Sequence, residues 1–143
     1  MAPRLVRDLM RLCLLMERRY PPYGKWLGSA FARLPVTPDL LAAITDSAGR
    51  EEHLATAYTA VATRHNELGL TEPVDPATRP YHSRPYRVLH AERFVAALTA
   101  AITDPLVRGL TAFGAVDQYL DSTDLLCDRP ATRAVAQSLR FAD

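Results

Sequence analysis

Lysine is almost missing from this chain: of its 17 basic residues only Lys25 is a lysine. The skew reads as genome base composition and not as a demand for planar guanidinium forks, so it carries no functional weight. Excess charge of either sign is missing too. A net charge of +1 with 23% charged residues gives neither the basic surplus of a nucleic-acid binder nor the acidity of a disordered tail, and nucleic acid is not among the expected partners. There are two cysteines, Cys13 and Cys127, far apart and without a histidine or second thiol at metal-ligand spacing. That excludes a zinc module and a disulfide framework, and a reduced, cytoplasmic setting is the natural expectation. No stretch approaches the roughly 20 apolar residues that cross a bilayer. The apolar run Leu12–Met16 is short, is flanked by Arg11 and Glu17, and lacks the small-residue cleavage site of a signal peptide. Catalytic signatures are absent as well: no phosphate-binding glycine loop, no Gly-x-Ser-x-Gly elbow, no His-Glu-x-x-His, and no Gly-Ser turn followed by paired aspartates. A self-sufficient enzyme is not expected.

What remains is a well-formed globular sequence. With 143 residues and 48% hydrophobic composition, residues 1–143 fit one domain able to bury a real core. Leu5, Leu9, Leu12, Cys13 and Met16 recur at helical spacing until Pro21-Pro22, which predicts a first helix. Trp26, Leu27, Ala30, Phe31 and Leu34 predict a second. Thr37-Pro38-Asp39 reads as an N-cap, an N1 proline and an acidic first turn for a short third helix through Leu40, Leu41 and Ile44. Leu54, Ala57, Tyr58, Val61, Ala62, His65 and Leu68 form the stripe of a long fourth helix from Arg50, with Gly69 at the C-cap position. Helical periodicity resumes near His90 with Phe94, Ala97, Leu98, Ala101 and Ile102, and Asp104-Pro105 reads as the cap of the next helix. Short helices over Leu106–Phe113, Val116–Leu120 and Pro130–Leu139 complete an all-α fold, an irregular multi-helix bundle.

Between Leu70 and Arg87 the pattern breaks at Pro73, Pro76, Pro80 and Pro85, each of which lacks a backbone donor and disfavours a helical residue before it. The expectation is a long proline-rich loop whose second half is ordered and lines a surface cleft, with an extended piece at Arg87-Val88-Leu89. The run Tyr81-His82-Ser83-Arg84-Pro85-Tyr86-Arg87-Val88-Leu89-His90 gathers rings, imidazoles and guanidinium groups, the inventory for holding an anion or a stacked base. The same residues can instead pin the loop to carbonyls. Two further readings concern chemistry. Asp117, Asp121 and Asp124 fall at helical spacing and could meet a divalent ion, though a helix end and a new N-cap explain them as well. Arg84 and His90 have the loose Arg-to-His spacing of HEPN-type ribonucleases, but Pro85 interrupts any helix carrying both. Around the diproline, Tyr23, Lys25 and Trp26 could project together, or the rings could seal a helix corner.

Three segments resemble one family. Arg-Asp-Leu-Met-Arg-Leu-Cys-Leu-Leu-Met-Glu-Arg-Arg-Tyr-Pro-Pro-Tyr-Gly-Lys-Trp-Leu-Gly-Ser-Ala-Phe-Ala-Arg-Leu at residues 7–34, Arg-Pro-Tyr-Arg-Val-Leu at 84–89 and Val-Asp-Gln-Tyr-Leu-Asp-Ser-Thr-Asp-Leu-Leu at 116–126 look like the bacterial family catalogued as domain of unknown function 4037. In that family a helical region follows a nucleotidyltransferase-like domain. The resemblance implies a substrate-recognition or dimerisation module acting with such a domain in cis or in trans, and a nucleotidyltransferase once joined to it. Nucleotide and Mg²⁺ would enter only through that partner domain, with no cofactor held by this chain. Tyr23, Lys25, Trp26, His82, Arg84, Arg87, Asp117 and Asp121 are the expected lining of a cleft for a small-molecule acceptor, the basic groups meeting phosphates and the aspartates an acceptor or metal. A homodimer is a further expected partner arrangement. The alternatives are a stand-alone small-molecule binding or interaction protein without catalysis, and a HEPN-like ribonuclease.

Overall fold

The computed structural model describes residues 2–35, 38–109 and 127–138. These are mostly helical, with one small antiparallel hairpin, and the chain divides into two compact units, Met1–Ala100 and Ala101–Asp143.

The first unit opens with α1 (Ala2–Met16). Its buried face is Val6, Leu9, Cys13 and Leu14, while Leu12 and Leu15 face outward. The apolar stripe read from the sequence is therefore rotated: leucine occupies both sides of the helix, and packing against the neighbouring helices chooses the Val6–Leu14 side. The helix also stops earlier than the diproline would require. Arg18 takes a left-handed conformation with φ 54°. Arg19 N–H then donates to the Leu14 carbonyl at 2.9 Å and Arg18 N–H to that of Leu15 at 2.9 Å. This is a Schellman closure that satisfies the last carbonyls of α1.

After the prolines, α2 (Gly24–Phe31) buries Leu27 and Phe31 and turns Trp26 outward. It is shorter than expected, and Leu34 reaches the core from the turn that follows. In α3 (Ala42–Thr45), the carboxylate of Asp39 accepts from Leu41 N–H at 3.2 Å, so the cap is Asp39; the expected cap Thr37 lies outside the described residues. α4 (Arg50–Glu67) has Glu51 and Glu52 in its first turn and Arg64 in its last, each sign opposite the helix dipole it meets. Gly69 follows with φ 62°, the C-cap role the sequence predicted. α1 packs on α2, α3 and α4, and α3 packs on α4. Their shared core joins Val6, Leu9, Cys13 and Leu14 with Leu27, Phe31, Leu34, Leu40, Ala43, Ala57 and Val61. Glu17 ties the end of α1 to α4 through Arg64 at 2.7 Å.

The all-α expectation is corrected after α4. Leu70–Thr78 is irregular, but β1 (Arg79–Pro80) and β2 (Arg87–Val88) then pair antiparallel, Arg79 with Val88 and Pro80 with Arg87. The irregular stretch is accordingly shorter than the 70–87 loop expected from the prolines. Pro80 is tolerated because both strands of a two-stranded ribbon are edges and need not donate on their outer side. The hairpin packs on α4 through β2. α5 (Glu92–Ala101) is anchored by Phe94, whose ring meets that of buried His65 edge-on at 5.1 Å.

In the second unit, α6 (Pro105–Gly109) starts as the sequence predicted. The Asp104 carboxylate accepts from Leu106 N–H at 2.8 Å and from Val107 N–H at 3.1 Å. α7 (Arg129–Ser138) is capped in the same way by Asp128, which accepts from Ala131 N–H at 3.1 Å. The helix expected over Val116–Leu120 and the aspartates Asp117, Asp121 and Asp124 lie outside the described residues.

Candidate functional site

The chemically richest part of the described chain is the hairpin and the turn into α5. Tyr81 N–H donates to the Tyr86 carbonyl at 2.7 Å and Arg84 N–H to that of Tyr81 at 3.0 Å, closing the turn. That closure sets His82 at φ 54°, and the exit from β2 sets His90 at φ 55°. Left-handed backbone is uncommon for residues with a Cβ, histidine being among the more tolerant, and two such positions within one segment mark a conformation that its surroundings enforce.

Those surroundings are polar pins. The Asn66 amide grips Val74 from both sides, donating to its carbonyl at 2.7 Å and accepting from its N–H at 3.0 Å. Arg93 donates to the carbonyls of Leu89 at 2.8 Å and Asp75 at 3.2 Å. Arg79 is ion-paired with Asp75. Arg87 donates through Nε to the Thr78 hydroxyl at 3.1 Å and through Nη2 to the Thr78 carbonyl at 2.9 Å, while its backbone N–H meets Glu51 at 2.7 Å. Three of the four arginines in this segment are thus engaged by protein acceptors. Among the described residues Arg84 is the exception, lying over the Tyr81 ring at 5.9 Å from the centroid.

Held this way, the segment walls a cleft of about 370 Å³ against α4. Val88, Leu89 and Ala91 give it an apolar floor, and Tyr58, Tyr81, His90 and Glu92 surround it. The Tyr81 ring is stacked edge-on with His82 at 4.6 Å and lies tilted beside His90 at 6.3 Å. His90 Nδ1 sits 3.3 Å from a Glu92 carboxylate oxygen. Tyr58 reaches in from α4; burial pushes its phenol above the ordinary value, and among the described residues its hydroxyl makes no hydrogen bond. A larger hollow of about 950 Å³ runs along α7, but its described lining comes from that one helix alone.

Of the residues predicted for the site, His82, Arg84 and Arg87 share the hairpin, with Arg87 turned to fastening it. Tyr23, Lys25 and Trp26 sit together on another element, the start of α2, where Lys25 Nζ lies 5.4 Å from the Trp26 ring centroid. α2 packs on α1 and the hairpin on α4, and no hydrogen bond, ion pair or ring contact among the described residues joins the two groups. Neither Arg84 nor His90 is on a helix, unlike the helix-borne pair of the ribonuclease reading. Tyr58 and Glu92 were not singled out from the sequence. Tyr58 was read as a member of a core stripe and does pack against the core, and the hairpin folding onto α4 makes it a cleft residue as well. Among the described residues there is no group of three or more acidic, histidine or cysteine side chains placed to hold a metal ion, and no helix long and apolar enough to cross a membrane.

The fold and site together define a mostly helical chain with a cleft between the hairpin and α4. A family model described as Domain of unknown function (DUF4037) matches residues 1–27, which comprise α1, the diproline corner and the first turn of α2. No curated protein and no solved structure matches the chain.

Proposed function

We propose that the chain is a helical recognition module that works with a nucleotidyltransferase-like domain and holds a small-molecule acceptor in the cleft between the hairpin and α4. The observation that carries the recognition role is the cleft itself: two phenol rings, an imidazole and a carboxylate line an apolar floor, with half-buried Tyr58 making no hydroxyl hydrogen bond among the described residues. A few polar groups around an apolar base is the usual composition of a small-ligand site. The association with a nucleotidyltransferase-like domain is supported by the resemblance of three segments to the 4037 family and by the family-model match over residues 1–27. In this reading the nucleotide and Mg²⁺ belong to the partner domain, and Arg84, the arginine of the hairpin that among the described residues is not fastened to an acceptor, meets an anionic group of the acceptor.

The test is protein-observed NMR on the purified chain with a panel of metabolites, each hit repeated with Tyr58→Phe and Glu92→Gln. A hit that shifts His90 ring protons and weakens with either substitution supports the cleft. Hits indifferent to both substitutions, or none at millimolar concentration, would overturn it.

A further inference from the structure

We infer that the corner between α1 and α2 binds single-stranded nucleic acid, an inference independent of the cleft. From Arg18 to Pro38 the chain carries four cations, Arg18, Arg19, Lys25 and Arg33, and no carboxylate. Since the net charge of the whole is only +1, the rest of the chain sums to −3, and this stretch is locally basic, as Arg79–Arg93 also is. The nearest carboxylate before this stretch, Glu17, is already occupied by Arg64 at 2.7 and 3.0 Å.

Within the same stretch three aromatic rings stand in solvent: Tyr20 is 87% exposed, Tyr23 81% and Trp26 60%. Successive rings are three residues apart, so their Cα atoms can lie no more than about 10 Å from one another. The Schellman closure at Arg18 and the return of α2 onto α1 hold them at one end of the helix pair. Lys25 covers the Trp26 ring at 5.4 Å from its centroid, placing a cation beside a stacking surface. Rings that accept successive bases, interleaved with cations that meet successive phosphates, are how single strands are held without sequence preference. A membrane surface is the less suitable occupant, because from Arg18 to Trp26 no aliphatic side chain is exposed to insert among lipid tails; the first, Leu27, is buried.

Trp26 is the only tryptophan, so its fluorescence reports on this corner alone. Titration with an oligouridylate of about a dozen residues, a length within reach of single-strand site sizes, is expected to quench it saturably at low salt. With Arg18, Arg19 and Lys25 each neutralising one phosphate, log K should fall against log salt with a slope of about −2, at roughly 0.7 per contact. Arg18→Gly, which suits the left-handed backbone there, should make that slope shallower by about 0.7. Tyr23→Ala should weaken binding at least about fivefold, the low end of base-on-ring stacking. The inference is overturned if the oligomer produces no saturable change, if both variants bind like the parent, or if uridine monophosphate binds as tightly as the oligomer. It is also overturned if phosphatidylserine-containing vesicles shift Trp26 emission to the blue while the oligomer does nothing, which would reassign the corner to a membrane surface.

Discussion

The α1–α4 core and the hairpin that leans on α4 belong to the same compact unit and are held by different forces. In the core the residues are buried and apolar: Leu14 and Val6 are each 1% exposed and Leu40 2%. In the hairpin every residue from Arg79 to Arg87 is exposed, and the segment keeps its shape through Arg87 on Thr78 and Glu51, with Arg93 and Asn66 fastening the chain on either side of it. The difference teaches where precision comes from in each. Apolar burial is non-directional, whereas hydrogen bonds to carbonyls fix a backbone to a particular turn geometry, including two histidines at positive φ.

The comparison can be broken by deleting one part and asking what else fails. The largest effect should come from Leu14→Ala, expected to cost about 2–5 kcal/mol through lost burial and the cavity left behind. It would be read as a lowered urea midpoint, with hairpin amides losing protection together with the core. A loss below about 1 kcal/mol, too small for a filled core position, would mean that the α1 face is not the packed one.

Arg87→Ala should sharpen the contrast from the other side. Global stability should fall by only about 1 kcal/mol, the usual net worth of such hydrogen bonds, while hydrogen exchange at residues 79–89 accelerates and α1 keeps its protection. Equal acceleration in α1 and the hairpin would show that the two are one cooperative piece and that the pins are not local.

The smallest effect concerns the polar cluster before α4. Backbone N–H of Gly49 first, then the His53 ring, hold the Asp46 carboxyl below its ordinary value. A Cβ at Gly49 would run into that carboxylate, which is why glycine stands there. Because the folded value is depressed, the stabilisation is present above the ordinary carboxylate range and is lost as pH falls through the folded value. Asp46→Asn should therefore lower Tm slightly at neutral pH and flatten its decline below about pH 4, the two proteins converging in acid. An unchanged acid limb would remove Asp46 from the account.

Much of the helical content was legible because its signals are local. Asp104 before Pro105 caps a helix by chain chemistry alone, and Gly69 ends α4 because the left-handed position after a helix favours a residue without Cβ. The hairpin was legible only as an extended piece at Arg87-Val88, since four prolines point away from helix without specifying a partner strand. The cleft was half legible. Tyr81 and His90 belonged to a segment marked by its chemistry, and Tyr58 joins the core as its stripe implied, but its second place at the cleft and the fastening role of Arg87 depend on which surface the hairpin meets.

By itself the sequence determined the mostly helical class, the capped start of α6 and the end of α4, all of which follow from spacing and backbone propensity along the chain. The tertiary structure alone decided which side of α1 is inside, that Arg18 in a left-handed conformation ends it, that three arginines near the hairpin fasten the chain, and that Tyr58 faces a cleft. The physical reason is the same in each case: an amphipathic pattern limits the choices, and contacts between residues distant in sequence select among them.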